Sequence, residues 1–193
     1  MEILSFKYLL LIALLVVTLW AIASYNALVA LKHGVAKAWS NIDVLLKQRF
    51  EELPKLVEVC RQYMRHERET LERVIVARNA VAAASNAGNM RALGEAEGVL
   101  RRGLGQLFAL AENYPDLKAD EGFRNLQTRI SQLENTIADR REFYNESVNL
   151  LNVRIESFPD TLIARFFGFR SRGLLRFSSA ETADVNLKAL FNG

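Results

Sequence analysis

The sequence predicts an all-α protein: an N-terminal transmembrane helix continuing into an antiparallel up-down four-helix bundle, followed by a short C-terminal Phe/Arg-rich amphipathic segment. Three observations lead there. The run from Tyr8 to Leu31 carries no charge and is interrupted only by Thr18, Ser24 and Asn26. Beyond Lys32, apolar residues recur at steps of three and four, the repeat of helices with one buried stripe. The breaks in that rhythm are short, and short loops between helices imply antiparallel neighbours. The expected organisation is a flank at 1–7, a membrane helix at 8–31, the bundle at 32–158, and an interfacial segment with its tail at 159–193.

The apolar run comes first. At helical rise, about 24 residues cover roughly 36 Å, against a hydrocarbon layer of about 30 Å. Tyr8, Leu11, Leu15, Trp20 and Leu28 mark the span. A buried core helix is one rival reading, but core helices of soluble domains seldom run this long without a charge. A cleaved secretory signal is the other, because Lys7 supplies a basic flank and Ala21-Ile22-Ala23 a small-x-small site. Against cleavage, the run passes on through Ala27, Leu28, Val29, Ala30 and Leu31 with no turn-forming break. Flanking charge sets Lys7 beside Glu2 on one side against Lys32, Lys37, Lys47 and Arg49 on the other, which favours an outside N-terminus and a cytoplasmic bundle.

About 160 residues follow the anchor, enough for one domain with a proper core. The net charge of +3 comes from 25 basic and 22 acidic residues. These are interspersed rather than gathered into a basic stripe, so no nucleic-acid partner is expected. The lone Cys60 has no partner for an internal disulfide and falls on an apolar face between Leu56 and Tyr63, as a packed thiol would.

The first bundle helix carries Val35, Trp39, Ile42, Leu46, Phe50 and Leu53, and Gly34 is too small an obstacle to break it from the membrane helix. Pro54 is read as a reversal starting helix two, with a kinked continuous helix as the alternative. Helix two carries Leu56, Cys60, Tyr63, Glu67, Thr70, Val74, Ala77, Val81 and Ala84 in a 4-3 alternation suited to coiled-coil packing. Ser85-Asn86-Ala87-Gly88-Asn89 is turn chemistry. Helix three carries Leu93, Leu100, Leu104, Phe108 and Ala111, with glycines at 94, 98, 103 and 105 that fit either a close backbone approach or a soft helix. Asn113-Tyr114-Pro115-Asp116 turns the chain again. Helix four keeps its rhythm for about 36 residues, from Phe123 through Leu126, Ile130, Leu133, Ile137, Arg140, Tyr144, Val148, Leu151 and Ile155 to Phe158, and stops before Pro159.

These residues together resemble the LemA family of bacterial membrane proteins. The blocks are Tyr25-Asn26 with Leu28-Val29, the run from Ala38-Trp39-Ser40-Asn41-Ile42-Asp43 to Lys47 with Arg49, and Leu53-Pro54 with Leu56-Val57. They continue in His66-Glu67-Arg68-Glu69-Thr70-Leu71, Tyr114-Pro115-Asp116-Leu117-Lys118-Ala119, Ile137-Ala138, Arg140-Arg141, Tyr144-Asn145, Phe158-Pro159 and Phe167-Gly168-Phe169. The resemblance implies an uncleaved membrane helix, a small outside N-terminus, an antiparallel four-helix bundle and a bacterial cytoplasmic membrane. It implies no activity. The glycine-rich helix three and the tail after Phe169 depart from the family pattern.

No catalytic constellation is legible, and no cofactor or metal is expected. The stretch His66-Glu67-Arg68-Glu69-Thr70 has Thr70 where a zinc-peptidase helix needs its second histidine, so two imidazoles cannot meet one metal. Glu67, Thr70, Glu97 and Arg140 are instead expected to interrupt the bundle core and specify register. The sharpest local feature runs from Leu162 to Phe177 without an acid. In it, Arg165, Phe166, Phe167, Phe169, Arg170, Arg172, Arg176 and Phe177 combine rings for the acyl boundary with guanidinium groups for anionic headgroups. A short helix capping the bundle is the alternative. Rise per residue favours the membrane, because helices two and four descend roughly 46 and 58 Å against ascents of roughly 32 and 36 Å. The expectation is a non-enzymatic, single-pass scaffold or adaptor, self-associating on the bilayer, or else an accessory regulator of another membrane protein such as a protease or sensor kinase.

Overall fold

The computed structural model describes residues 2–176. Every regular element among them is a helix: α1 (Glu2–Tyr63), α2 (Arg68–Asn86), α3 (Met90–Ala111), α4 (Pro115–Ala119), α5 (Glu121–Glu156) and α6 (Asp160–Phe166). The all-α expectation therefore holds for them. The chain divides into two compact units, Met1–Trp39 with Phe143–Arg172, and Ser40–Glu142 with the chain from Gly173.

In the first unit, the N-terminal part of α1 is long and apolar enough to cross a membrane, and its side chains are uncovered. Tyr8, Leu11 and Leu15 are each more than half exposed, which excludes the buried-core rival. Of the polar interruptions, Thr18 is satisfied within the helix. The Thr18 hydroxyl donates to the Leu14 carbonyl at 2.8 Å, as an intrahelical partner must in an apolar medium. Ser24 and Leu28 are buried, so the last turns of the apolar run lie against the chain itself. Further along, the Trp39 and Tyr144 rings meet edge to face at 5.9 Å.

In the second unit, the reversal expected at Pro54 is absent. The helix runs through it to Tyr63, and the turn falls at residues 64–67, so Leu56, Cys60 and Tyr63 lie on α1 and helix two begins at Arg68. The reason is a tertiary hydrogen bond. Proline has no N–H, so the carbonyl four residues back, that of Phe50, loses its helical partner. Arg78 of α2 replaces it: Nε donates to the Phe50 carbonyl at 2.8 Å, and the guanidinium lies 3.3 Å over the Phe50 ring.

The remaining turns fall where glycine, asparagine and proline place them. Gly88 adopts φ +63° after α2, and Asn89 caps α3 by accepting from the Ala92 N–H at 3.1 Å. Pro115 opens the short α4. Asp120 caps α5 by accepting from the Phe123 N–H at 2.8 Å, and its other oxygen accepts from the Tyr63 hydroxyl at 3.1 Å. α2 and α3 pack together through Leu71, Val74, Ala77 and Val81 on one and Leu93, Leu100, Leu104 and Leu107 on the other. Of the α3 glycines, Gly94 serves a close approach. A Cβ there would lie 1.8 Å from the Arg176 carbonyl oxygen, so the backbone at Arg176 passes directly over that of the helix.

Two measurements test this packing. Arg78→Ala is expected to cost about 1–3 kcal/mol in chemical unfolding, the penalty of an orphaned carbonyl, and most of that loss should vanish in a Pro54→Ala background, where residue 54 regains its N–H. A loss of equal size in both backgrounds would remove Arg78 as the compensating group. Burial pushes the Cys60 thiol from 9.0 up to about 12. Its neutral form is favoured by folding, so this stabilisation is complete below pH 9 and declines as pH rises toward 12. Aromatic disulfide reagents at pH 8 should therefore label Cys60 only after denaturation.

Candidate functional site

Two constellations stand out, one in each unit. In the second unit the buried positions of α1 include Ile42, Leu46, Arg49, Leu53, Leu56 and Cys60, a strict 4-3 alternation with a guanidinium in the middle. Arg49 is 1 % exposed. Its Nη1 donates to Glu134 Oε1 of α5 at 2.5 Å, and its Nη2 donates to Glu97 Oε1 of α3. Desolvation alone would lower the Arg49 pKa, but the charges and hydrogen bonds of Glu97 and Glu134 outweigh it and hold the group above its ordinary value. Burying a charge is tolerable only when it is paired in this way.

The four residues expected to interrupt the core fare differently. Glu97 is buried in this ion network. Glu67 is half-buried at the N-cap of α2, where it caps no N–H and lies 3.4 Å from the Tyr114 hydroxyl. Thr70 is half-buried on α2. Arg140 is exposed, which corrects its placement in the core. The buried positions of α5 pass from Ile137 to Tyr144, and at the margin between them a long guanidinium reaches water. Arg49 and Glu134 were missed. Phe50 had been placed on the stripe, yet the spacing 42, 46, 49, 53, 56, 60 marks Arg49 as the better member. His66 sits in the turn before α2 and is exposed, and among the described residues no cluster of His, Cys, Asp or Glu is arranged to hold a metal.

In the first unit, α6 is apolar on the outside and polar on the inside. Phe158, Leu162 and Phe166, at steps of four, are 81, 56 and 83 % exposed, while Asp160 and Ala164 are buried. The Ser24 hydroxyl donates to Asp160 Oδ1 at 2.5 Å. Arg154 Nε lies 2.5 Å from Asp160 Oδ2 as an ion pair, its N–H not aligned for a hydrogen bond. The Tyr25 ring stands 4.7 Å from that of Phe167 and 6.0 Å from that of Phe169. Gly168, at φ +70°, ends α6 in a left-handed turn closed by the Phe169 N–H on the Ala164 carbonyl at 2.9 Å.

Of the expected membrane-surface residues, Phe167 and Phe169 are thus brought to Tyr25, and Arg165, Phe166, Arg170 and Arg172 are exposed in the same unit. Arg176 belongs to the second unit, at Gly94. Phe177 lies outside the described residues. Sequence reasoning missed the partners that seat the segment, namely Ser24, Tyr25 and Asp160.

The ion network gives a sharp test. Arg49→Met leaves two carboxylates facing an apolar core and should cost about 3–5 kcal/mol in thermal or chemical unfolding. Adding Glu97→Leu and Glu134→Leu should restore most of the loss, because an apolar set of similar volume removes the orphaned charge. Additive losses in the triple variant would show that the three groups do not act as one.

The geometry can be set beside known proteins. The model of the LemA family matches residues 38–188. Magnetosome proteins MamQ 1 and MamQ 2 of Paramagnetospirillum magneticum are each 29 % identical over 104 residues, which is 54 % of this chain and 38 % of theirs. Magnetosome protein MamQ of Magnetospirillum gryphiswaldense is 32 % identical over 83 residues, 43 % of this chain and 30 % of its own. The chain thus spans about two fifths or less of these curated relatives. A matched model over most of the chain, covering both the Arg49 network and the α6 segment, places this protein in the LemA family.

Proposed function

We propose that the chain is a membrane-anchored, non-enzymatic scaffold, held in a bacterial cytoplasmic membrane by the N-terminal part of α1, with its N-terminus outside. The observation that carries the reading is the inverted amphipathicity of α6. A short helix that buries Asp160 against a serine of the apolar helix and turns Leu162 and Phe166 outward, with Phe158 exposed in the turn just before it, suits a solvent less polar than water. Phe143, Leu150 and Val153 on α5, in the same unit, are exposed as well. Lipid covers the α6 face, and a second copy of the chain covers the α5 face, so that copies associate side by side on the bilayer.

The second unit supplies an antiparallel four-helix bundle as the water-facing body. Supporting this, α1 at residues 49 and 50 receives Arg78 from α2, Glu97 from α3 and Glu134 from α5. The alternative reading, an accessory that regulates another membrane protein such as a protease or sensor kinase, draws on a different surface. Val76 and Val99 are exposed on α2 and α3 beside Ala80, Ala96 and Gly103, a groove of small residues that suits a partner helix.

The full chain extracted in mild detergent is expected to run as a homo-oligomer, and Leu150→Ser with Val153→Ser to reduce it to monomer. A fluorophore at Phe166→Cys, in a Cys60→Ala background, should be quenched by shallow brominated lipids. A monomer that co-purifies with a second membrane protein would favour the accessory, and a probe quenched only from water would remove α6 from the bilayer.

A further inference from the structure

A cleft of about 570 Å³ opens in the first unit between the end of the apolar run and the turn after α6. One side is Lys32 and His33, the first polar residues after Leu31. The facing side is Arg170 and Arg172, and Tyr25 and Phe169 form its apolar end. No acidic residue lines it, and among the described residues neither Lys32 nor Arg170 has a carboxylate partner. Lys32, Arg170 and Arg172 thus line one cleft whose walls carry no acidic side chain, a self-repulsion that a bound anion reverses.

The backbone holding this arrangement is fixed. Gly168 supplies the left-handed turn that swings residues 169–172 back along α1. Asn152 then grips the Arg172 peptide from both sides: its Oδ1 accepts from the Arg172 N–H at 2.8 Å, and its Nδ2 donates to the Arg172 carbonyl at 2.9 Å. Asn152 is a positioning residue, since it touches the cleft only through this peptide.

We propose that the cleft binds the headgroup of one anionic phospholipid, the phosphate lying between Lys32 and the Arg170/Arg172 pair and the first acyl methylenes running along Tyr25 and Phe169. Position selects lipid over free phosphate. Cations immediately after an apolar run sit at headgroup level, and the aromatic wall leads from the cations toward the uncovered apolar faces of α1 and α6. Guanidinium groups recognise phosphate oxygens in a bidentate fashion, which adds selectivity to attraction. The site rests on the membrane placement of α1 proposed above.

Full-length protein in neutral detergent, titrated with phosphatidylglycerol or phosphatidylcholine and read by native mass spectrometry, is expected to retain one phosphatidylglycerol at least ten-fold better. Arg170→Gln with Arg172→Gln should abolish the preference, Asn152→Ala should weaken it, and Arg91→Gln, an exposed arginine of the second unit, should leave it intact. Inorganic phosphate at millimolar concentration should not displace the lipid. Equal retention of both lipids, an unaffected double variant, or displacement by inorganic phosphate overturns the proposal. If the double variant loses its helical circular dichroism, Lys32→Gln carries the same test. Carbonate extraction of membranes separates the two readings: an integral protein without lipid preference defeats the cleft alone, whereas an extractable protein defeats the anchor as well.

Discussion

A guanidinium sealed from water at Arg49 constrains everything around it. Its desolvation is offset only if two carboxylates arrive at hydrogen-bonding distance, and they come from two other helices far apart in sequence, Glu97 on α3 and Glu134 on α5. A sliding register on either helix by one turn, about 5.4 Å, would strand a charge in an apolar core. One residue earlier or later no other side chain of α1 makes the same demand. The adjoining carbonyl of Phe50 adds a fourth helix through Arg78. Apolar stripes bring helices together with little preference for height. Polar contacts at residues 49 and 50 add a demand on height that apolar stripes lack.

The first unit follows different solvent rules. A helix in water hides its apolar face, but α6 turns Leu162 and Phe166 outward, with Phe158 exposed just before it, and folds its carboxylate in against Ser24 and Arg154. In water such a layout forgoes the burial of large side chains, which is the premise of the lipid contact proposed above. The same logic applies to Thr18, whose hydroxyl turns back to its own helix.

Much of this was legible in the residues, for reasons that differ by element. The anchor helix needs only a long uncharged run, and α5 needs only an unbroken three-four rhythm, which gave the limits of α5 to within two residues. Asn89, Gly88 and Pro115 act through local backbone chemistry and marked their turns correctly. Pro54 failed as a stop because its cost is met by Arg78, 24 residues away in sequence, and no local rule can see a tertiary hydrogen bond. Arg49 was hidden for the opposite reason: an arginine counts as polar until its partners are known, even when it occupies an apolar register. The helix lengths that argued for a return of the Phe/Arg segment rested on a reversal at Pro54 that is absent, and its seat on Ser24 and Tyr25 was not legible, since a lone serine in a greasy run announces no particular partner.

The carbonyl of Arg176 occupies the space that a methyl group at position 94 would fill. A crossing of that kind has no seat until α3 has wound and exposed its bare backbone, so residues 173–176 can dock only onto a finished helix. Attachment of that short stretch is therefore a report on the integrity of the helix beneath it.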